Sequence, residues 1–494
     1  MSSDAGKKPK SADGKVSSEV EELDDEDDWQ RWANADYGGA IDPWDDLEVK
    51  ENEEFSDNSE HDDLDQDDGS DFDEIDVRDM EAPPCPAPLG VIHVIRLGAC
   101  NHCLSRISGR ARSGVGLAEH GLTIRTEMIE RDPDLATEDE DAWCPFCEDL
   151  FEDAPSIAKR LTDSLSEVEF EEIQIGIHLP KDLLQEEDRL RTKFGAAGSK
   201  PLKSSFVDAI HSSLAEIMPK VRQVKERPEV MVLIDTLTLR VDIDVRPVYI
   251  YGRYRKLERG IPQTRWPCRA CRGREGGCDS CEGSGLQYPN SVQDLLGEPA
   301  RELFGGAETS FHGMGREDID VRCLGRGRPF VLEIKQPKVR TADLDGLTKT
   351  IKSETDGKVE VADLRLSMRN EVARIKETKA EKSYTIRFQV EGGIADEESA
   401  ISAVESLGGV VLAQKTPTRV AHRRADKVRE RKVVEVSEVS VDGDEMQFQV
   451  RCQTGTYVKE LVHSDEGRTE PSVAALIGAP CEVLWLDVEE IHAE

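Results

Sequence analysis

Eight of the twelve cysteines in this 494-residue chain fall in four C-x2-C pairs. No other feature constrains the fold as much. A C-x2-C turn points two thiolates at one ion, and two such turns complete the tetrahedral four-cysteine set that zinc prefers. Cys100/Cys103 and Cys144/Cys147, about forty residues apart, predict one set. Cys268/Cys271 and Cys278/Cys281 predict a second. Glycines follow each pair of the second set and allow the tight turns it needs. Two unrelated reduced pairs are the alternative for the first set. Four thiolates leave no open coordination position, so both ions would be structural. Cys85, Cys323, Cys452 and Cys481 have no partner in spacing and read as small apolar residues.

A secreted disulfide framework is not expected. The N-terminus lacks a basic region followed by an apolar run, and no apolar stretch reaches the roughly 18–20 residues of a membrane helix. The expected setting is a reducing cytoplasm, with no membrane partner.

The net charge of -38 argues against nucleic-acid binding until it is located. Residues 1–83 carry 31 acidic and 7 basic residues, and so account for most of it. This segment is low in apolar residues and reads as a disordered acidic tail, with Trp29, Trp32 and Trp44 as its exception. The remainder is mildly acidic and suits a halophilic cytoplasm, while leaving room for a basic face.

The pattern after the tail is α+β. Residues 84–288 read as a first domain carrying the cysteine sets and ending in the cysteine knuckle 268–281, and residues 289–494 as a second α+β domain. Val91 to Ile95 reads as a strand, 206–221 as an amphipathic helix, and 230–234 with 238–243 as paired strands. Pro247 to Gly252 is expected to continue that first sheet. Asp320 to Leu324 and Pro329 to Ile334 flank a glycine-rich turn and predict a hairpin. Strands are expected at 384–390, 447–452 and 483–488, and helices at 397–407 and 458–463. The polar stretch 346–379 reads as surface loop and helix.

The most informative segment is Gly315-Arg316-Glu317-Asp318-Ile319-Asp320, dense in charge ahead of an apolar strand. An arbitrary sequence of this kind would be a solvated loop. Gly-Arg-x-Asp, however, resembles the active-site motif of pseudouridine synthases. The longer string through Ile334 is similar to the archaeal and eukaryotic tRNA pseudouridine synthase family acting on the TΨC arm. Three further segments share that resemblance: Ile261 to Cys268, Thr416 to Asp426, and Gly455 to His463 with Gly467 to Ser472. It covers nearly everything from Val91 onward.

The resemblance implies an N-terminal THUMP-type domain followed by a pseudouridine synthase catalytic domain built on a mixed sheet. It implies uridine 55 of tRNA as substrate, with 54 as a second target, no catalytic cofactor and no small-molecule cosubstrate. Asp318 would be the essential carboxylate, which a nearby cation would hold charged. Lys459 matches the basic residue that pairs with it. Tyr384, in a Lys-x-Tyr pattern, would stack on the target uracil, and Tyr457 would be a second substrate contact. Glu317 and Asp320 compete with Asp318, and the register of the motif favours Asp318. Asp320 is expected to pair with Arg322 or Arg328.

Phosphate binding needs cations. Arg419, His422, Arg423 and Arg424 open the most basic stretch and are the candidate RNA contacts, against a plain charged helix as the alternative. Arg265, Arg269, Arg272 and Arg274 surround the second cysteine set and are either phosphate contacts or solvated arginines. The competing reading of the whole chain is a zinc-containing tRNA-binding protein without catalysis. It explains the cysteines and the basic run, but gives no reason for Asp318, Tyr384 and Lys459 to match together. A methyltransferase would need a glycine-rich nucleotide fingerprint, and a zinc hydrolase or deaminase an open metal position.

Overall fold

A computed structural model of the chain describes residues 88–493, apart from 110–115, 137–142, 197 and 424. The acidic segment with its three tryptophans, and Cys85, lie outside the described residues.

The first unit is a four-stranded sheet packed against helices. Its strands are β1 (Glu172–His178), β2 (Arg222–Gln223), β3 (Val230–Asp235) and β4 (Arg240–Val245), in the order β2-β1-β3-β4. β1 and β3 are parallel neighbours, and β4 returns antiparallel to β3. Ile173, Ile175, Ile177, Val230, Val232 and Ile234 are buried at alternate positions, so one face of the sheet enters the helical core. Helices Ala154–Ser164 and Leu202–Ile217 turn Ile157, Leu161, Phe206, Ile210 and Leu214 into the same core.

Val91 to Ile95 is not a strand. It lies in helix Pro88–Arg96, with a proline at the first helical position, where its missing N–H costs nothing. A five-residue apolar run has no period long enough to separate the two conformations.

The second unit is built on a ten-stranded sheet. Its strands are β5 (Val248–Lys256), β6 (Glu308–Gly313), β7 (Arg322–Lys335), β8 (Val359–Ser367), β9 (Glu381–Val390), β10 (Val411–Lys415), β11 (Val428–Asp442), β12 (Glu445–Cys452), β13 (Thr469–Glu470) and β14 (Cys481–His492). The order is β13-β10-β11-β12-β9-β14-β7-β5-β8, with β6 paired to β7. All pairings are antiparallel except β14 with β7, which meet in parallel at Asp487/Arg322 and Val488/Cys323. Met446, Phe448, Val450 and Cys452 alternate into a core that includes Ile386 and Phe388. The Phe388 and Phe448 rings pack edge to face at 5.9 Å.

Three expectations change here. β5 does not continue the first sheet; it sits between β7 and β8 in the second. The division between the units therefore falls between Val245 and Val248, not at 288/289, and the cysteine knuckle is an insert of the second unit. The glycine-rich turn is not a hairpin but a bulge inside the single strand β7: Tyr254 pairs with Arg328 while Lys256 pairs with Cys323. A Cβ on Gly325 would lie 2.0 Å from the Glu489 carbonyl oxygen, and one on Gly327 would lie 2.7 Å from that of Tyr254. The glycines thus serve close strand approach rather than reversal. The stretch 346–379 contains a full edge strand, β8, between two helices.

The two units are tied at Glu169, whose carboxylate accepts from the Arg340 and Thr341 backbone at 2.6 and 3.1 Å and whose N–H donates to the Lys338 carbonyl. Among the described residues no helix is long and apolar enough to cross a membrane.

Candidate active site

The loop between β6 and β7 carries Asp318, and its shape is set from below. Glu317 is fully buried, with its carboxylate accepting the Tyr254 hydroxyl at 2.8 Å and lying 2.8 Å from Arg328 Nε. Lys256 Nζ, 3.9 Å from Glu317, donates to the carbonyls of Ile261, Asp318 and Ile319. Arg328 donates to the Met314 carbonyl, Gln263 to that of Gly315 and Arg259 to that of Asp320. Five loop carbonyls are thus held by side chains from β5, the insert and β7. A loop so over-determined holds its outward side chains with little freedom. Asp318, with a side chain 41% exposed, is one of them.

Asp318 Oδ2 lies 3.2 Å from Arg419 Nη1 and 3.4 Å from Lys459 Nζ. Lys459 makes its shorter contacts to Asp320, at 2.8 and 3.0 Å. The expected pairing of Asp320 with Arg322 or Arg328 does not occur: Arg322 binds Asp487, and Arg328 is committed to Glu317. Lys459 thus reaches Asp318 and Asp320, and Arg419 reaches Asp318 and Glu460, so Asp318 is the carboxylate reached by both cations.

A cavity of about 780 Å³ opens above the carboxylate. Its floor includes Tyr384 and Lys382 on β9 and Leu486 and Val488 on β14; Tyr457 and Lys459 form one side. Tyr384 pairs across β9 with Val450 and Val488, so the sheet fixes its position. Burial raises its phenol above the ordinary tyrosine range. The peptide of Tyr457 is clamped by buried Gln414, which donates to its carbonyl and accepts from its N–H, both at 2.9 Å. Burial, and then the Arg328 charge, push the Lys382 ammonium down to about 8.

The structure thus brings together Asp318, Tyr384, Tyr457 and Lys459. It places Arg419 on the carboxylate rather than out among the basic residues, with its Nε 2.7 Å from buried Glu460. His422 and Arg423 lie in the short turn Thr418–Arg423, their side chains outside the described ones, and Arg424 is outside the described residues altogether. Sequence reasoning missed Lys382, although two positions before Tyr384 on a strand means the same face. It also missed the insert's contribution: Pro262, Gln263 and Trp266 form a wall of the cavity.

Both cysteine sets assemble. Within each, the four sulfur atoms lie within 4.8 Å of one another. Cys100 and Cys147 are 3.7 Å apart, Cys268 and Cys278 3.9 Å, and Cys271 and Cys281 3.8 Å. Metal–sulfur bonds of ~2.3 Å in a tetrahedron imply sulfur separations of roughly 3.8 Å, so the thiols fit a metal ion. Backbone N–H groups of Cys100, Cys278 and Gly285 point at sulfurs at 3.2 Å, as thiolates favour. Gly277 is required where the two turns of the second set meet, since a Cβ there would lie 2.4 Å from the Gly283 backbone. Cys323, Cys452 and Cys481 are buried and unpaired, as small apolar residues would be.

Residues 249–492 match the family model described as Pus10, C-terminal. Residues 157–235 match that of the archaeal Pus10 THUMP domain. The tRNA pseudouridine synthase Pus10 of Halorubrum lacusprofundi is 38% identical over 401 residues, which cover 80% of this chain and 93% of that protein. The chain belongs to the Pus10 family. A second Pus10, from Methanothermobacter marburgensis, is 39% identical over 79% of this chain and 94% of its own length. The Pus10 C-terminal match begins inside β5, in keeping with that strand's place in the larger sheet. The Pus10 THUMP match runs from helix Ala154–Ser164 to the end of β3, within the first unit. Among solved structures, a Cbf5-Nop10-Gar1 complex is 15% identical over 40% of this chain and 45% of that one, with a TM-score of 0.25, too low to carry an argument about the site.

Proposed function

We propose that this Pus10 chain isomerises uridine to pseudouridine at position 55 of the tRNA TΨC loop, and at 54 as well, with Asp318 as the catalytic carboxylate. The observation that carries the reading is the convergence of Arg419 and Lys459 on Asp318, at 3.2 and 3.4 Å, beside a cavity floored by Tyr384. The reaction exchanges the C1′–N1 bond for a C1′–C5 bond, moves the C5 proton off and returns one to N1. Atoms balance without a cosubstrate, so a pocket with a carboxylate, two cations and an aromatic platform is sufficient.

A loop uridine must leave its stack to reach Asp318, at a cost of a few kcal/mol. Tyr384 offers a ring for the extruded uracil, and Tyr457 a second contact. Lys459 and Arg419 orient the carboxylate and counter its charge. His422, Arg423 and Arg424, which follow Arg419 in the sequence, would contact tRNA phosphates and make affinity salt-dependent. The THUMP-type unit supplies a second tRNA surface. Both cysteine sets would hold structural zinc, the first inside the THUMP-side core and the second in the insert.

The test is to incubate the purified chain with unmodified tRNA transcript, adding no cofactor, and to map pseudouridine. Formation at 55 supports the reading, and formation at 54 extends it. Tight tRNA binding without pseudouridine would favour a non-catalytic binding protein.

A further inference from the structure

The cysteine insert does more than fold on itself: it places an indole on the rim of the cavity. We propose that Trp266 is a stacking ledge for an RNA base flanking the target uridine, so that the insert is a substrate-binding element. The inference rests on the tRNA reading above and deepens it.

Trp266 is only half-buried and belongs to none of the three hydrophobic cores. Yet it lines the cavity that Asp318 lines. A tryptophan that stabilises nothing in a core but is held rigidly at a cavity mouth has contact area to offer a ligand. The rigidity comes from the knuckle. The Trp266 carbonyl accepts from Gln287 N–H at 2.8 Å, and the next residues close the metal loop through Cys268 N–H to the Gly285 carbonyl at 2.7 Å. On the other side, Arg265 is paired with Asp294 and Glu298. Tyr288 meets the indole edge on at 5.7 Å. A pre-positioned ring loses little entropy when a base docks on it.

The surroundings name the ligand class. Arg316 lies over the indole, 5.6 Å from its centre, and is exposed with no acidic partner among the described residues. Arg269, Arg272 and Arg274, in the insert's first turn, are likewise exposed and without an acidic partner, while its acids, Glu275, Asp279 and Glu282, follow in the second half. Arg316 thus sets an exposed charge over the indole, and the three insert arginines follow Trp266 closely in the sequence. An aromatic ring for bases with cations for the backbone is the pattern of single-stranded nucleic-acid recognition. A loop splayed open by extrusion of one uridine supplies such a neighbouring base.

The experiment is a double-mutant cycle on the full metal-loaded chain. Trp266→Ala and Trp266→Phe are compared with wild type in single turnover, on tRNA transcripts carrying one abasic nucleotide at each position flanking the target. Metal content and Tm of each variant are measured alongside. On intact tRNA, Trp266→Ala should lose roughly ten- to a hundredfold in kcat/KM, while Trp266→Phe stays within a few-fold. On the one transcript lacking the stacked base, the Trp266→Ala penalty should vanish. A penalty equal on every transcript, or none on intact tRNA, overturns the proposal. If wild type binds tRNA without modifying it, the same cycle read in Kd still decides whether a base rests on Trp266, so the two readings fail separately.

Discussion

Arg419 bridges two carboxylates of different character: its Nη1 lies 3.2 Å from half-exposed Asp318, and its Nε 2.7 Å from Glu460, which is buried. The second contact anchors the first. Helix Val458–His463 carries both Glu460 and Lys459, so one short helix sets both cations on Asp318.

Arg419→Met should therefore act on rate and on folding. Loss of the Asp318 contact should lower kcat at least tenfold with tRNA affinity kept within a few-fold. Leaving Glu460 buried without its cation should cost about 1–3 kcal/mol. Adding Glu460→Gln should restore stability but not rate, a separation that denaturation and single-turnover kinetics resolve.

Glu317 and Asp318 are adjacent carboxylates with opposite expected responses. Glu317→Gln removes the partner of fully buried Arg328 and should cost about 3–5 kcal/mol. Asp318→Asn should leave Tm within a few degrees. Thermal melts of the two variants would expose a mistaken register if the order came out reversed.

Lys382 gives a pH signature. Its folded value, about 8, lies below its ordinary 10.5 because burial and the Arg328 charge disfavour the ammonium. The folded state thus binds fewer protons than the unfolded one between those values, and stability from this group rises with pH across that window. Lys382→Met should be more stable than wild type at pH 7, on the order of 1–3 kcal/mol, and the gap should close between pH 8 and 10.5. A gap independent of pH would mean that the charge is already compensated in the fold.

The cysteine sets predict separable metal sites. Cys144→Ser should lose one ion and unfold the first unit, whose core contains Cys144 and Cys147. Cys271→Ser should lose the other ion and weaken tRNA turnover while the ten-stranded sheet stays folded. Elemental analysis with circular dichroism checks both; an unchanged metal content in either variant removes that site.

Local signals were legible in the sequence, and their spatial partners were not. The cysteine spacings, the β3/β4 pair and the alternating strands β9 and β12 each rest on a short-range pattern. The placement of β5 depends on hydrogen bonds to β7 and β8, about 80 and 110 residues away, and nothing within β5 encodes that choice. The glycines of β7 have the composition of a turn, and only neighbouring backbones at Tyr254 and Glu489 show why they are needed. At the site, Asp318, Tyr384, Tyr457 and Lys459 were all read from motifs. Arg419 was read as a phosphate contact because charge composition cannot say which anion a cation faces. Trp266 was invisible because its wall of the cavity exists only once the insert folds back over the Asp318 loop.

The most direct test of the central claim is single-turnover pseudouridine formation at tRNA position 55 by wild type and Asp318→Asn, with tRNA affinity and Tm measured on the same preparations. The account predicts formation by wild type, and loss of at least a thousandfold in rate by a variant that folds and binds tRNA normally. A folded Asp318→Asn that still forms pseudouridine at a wild-type rate would contradict it.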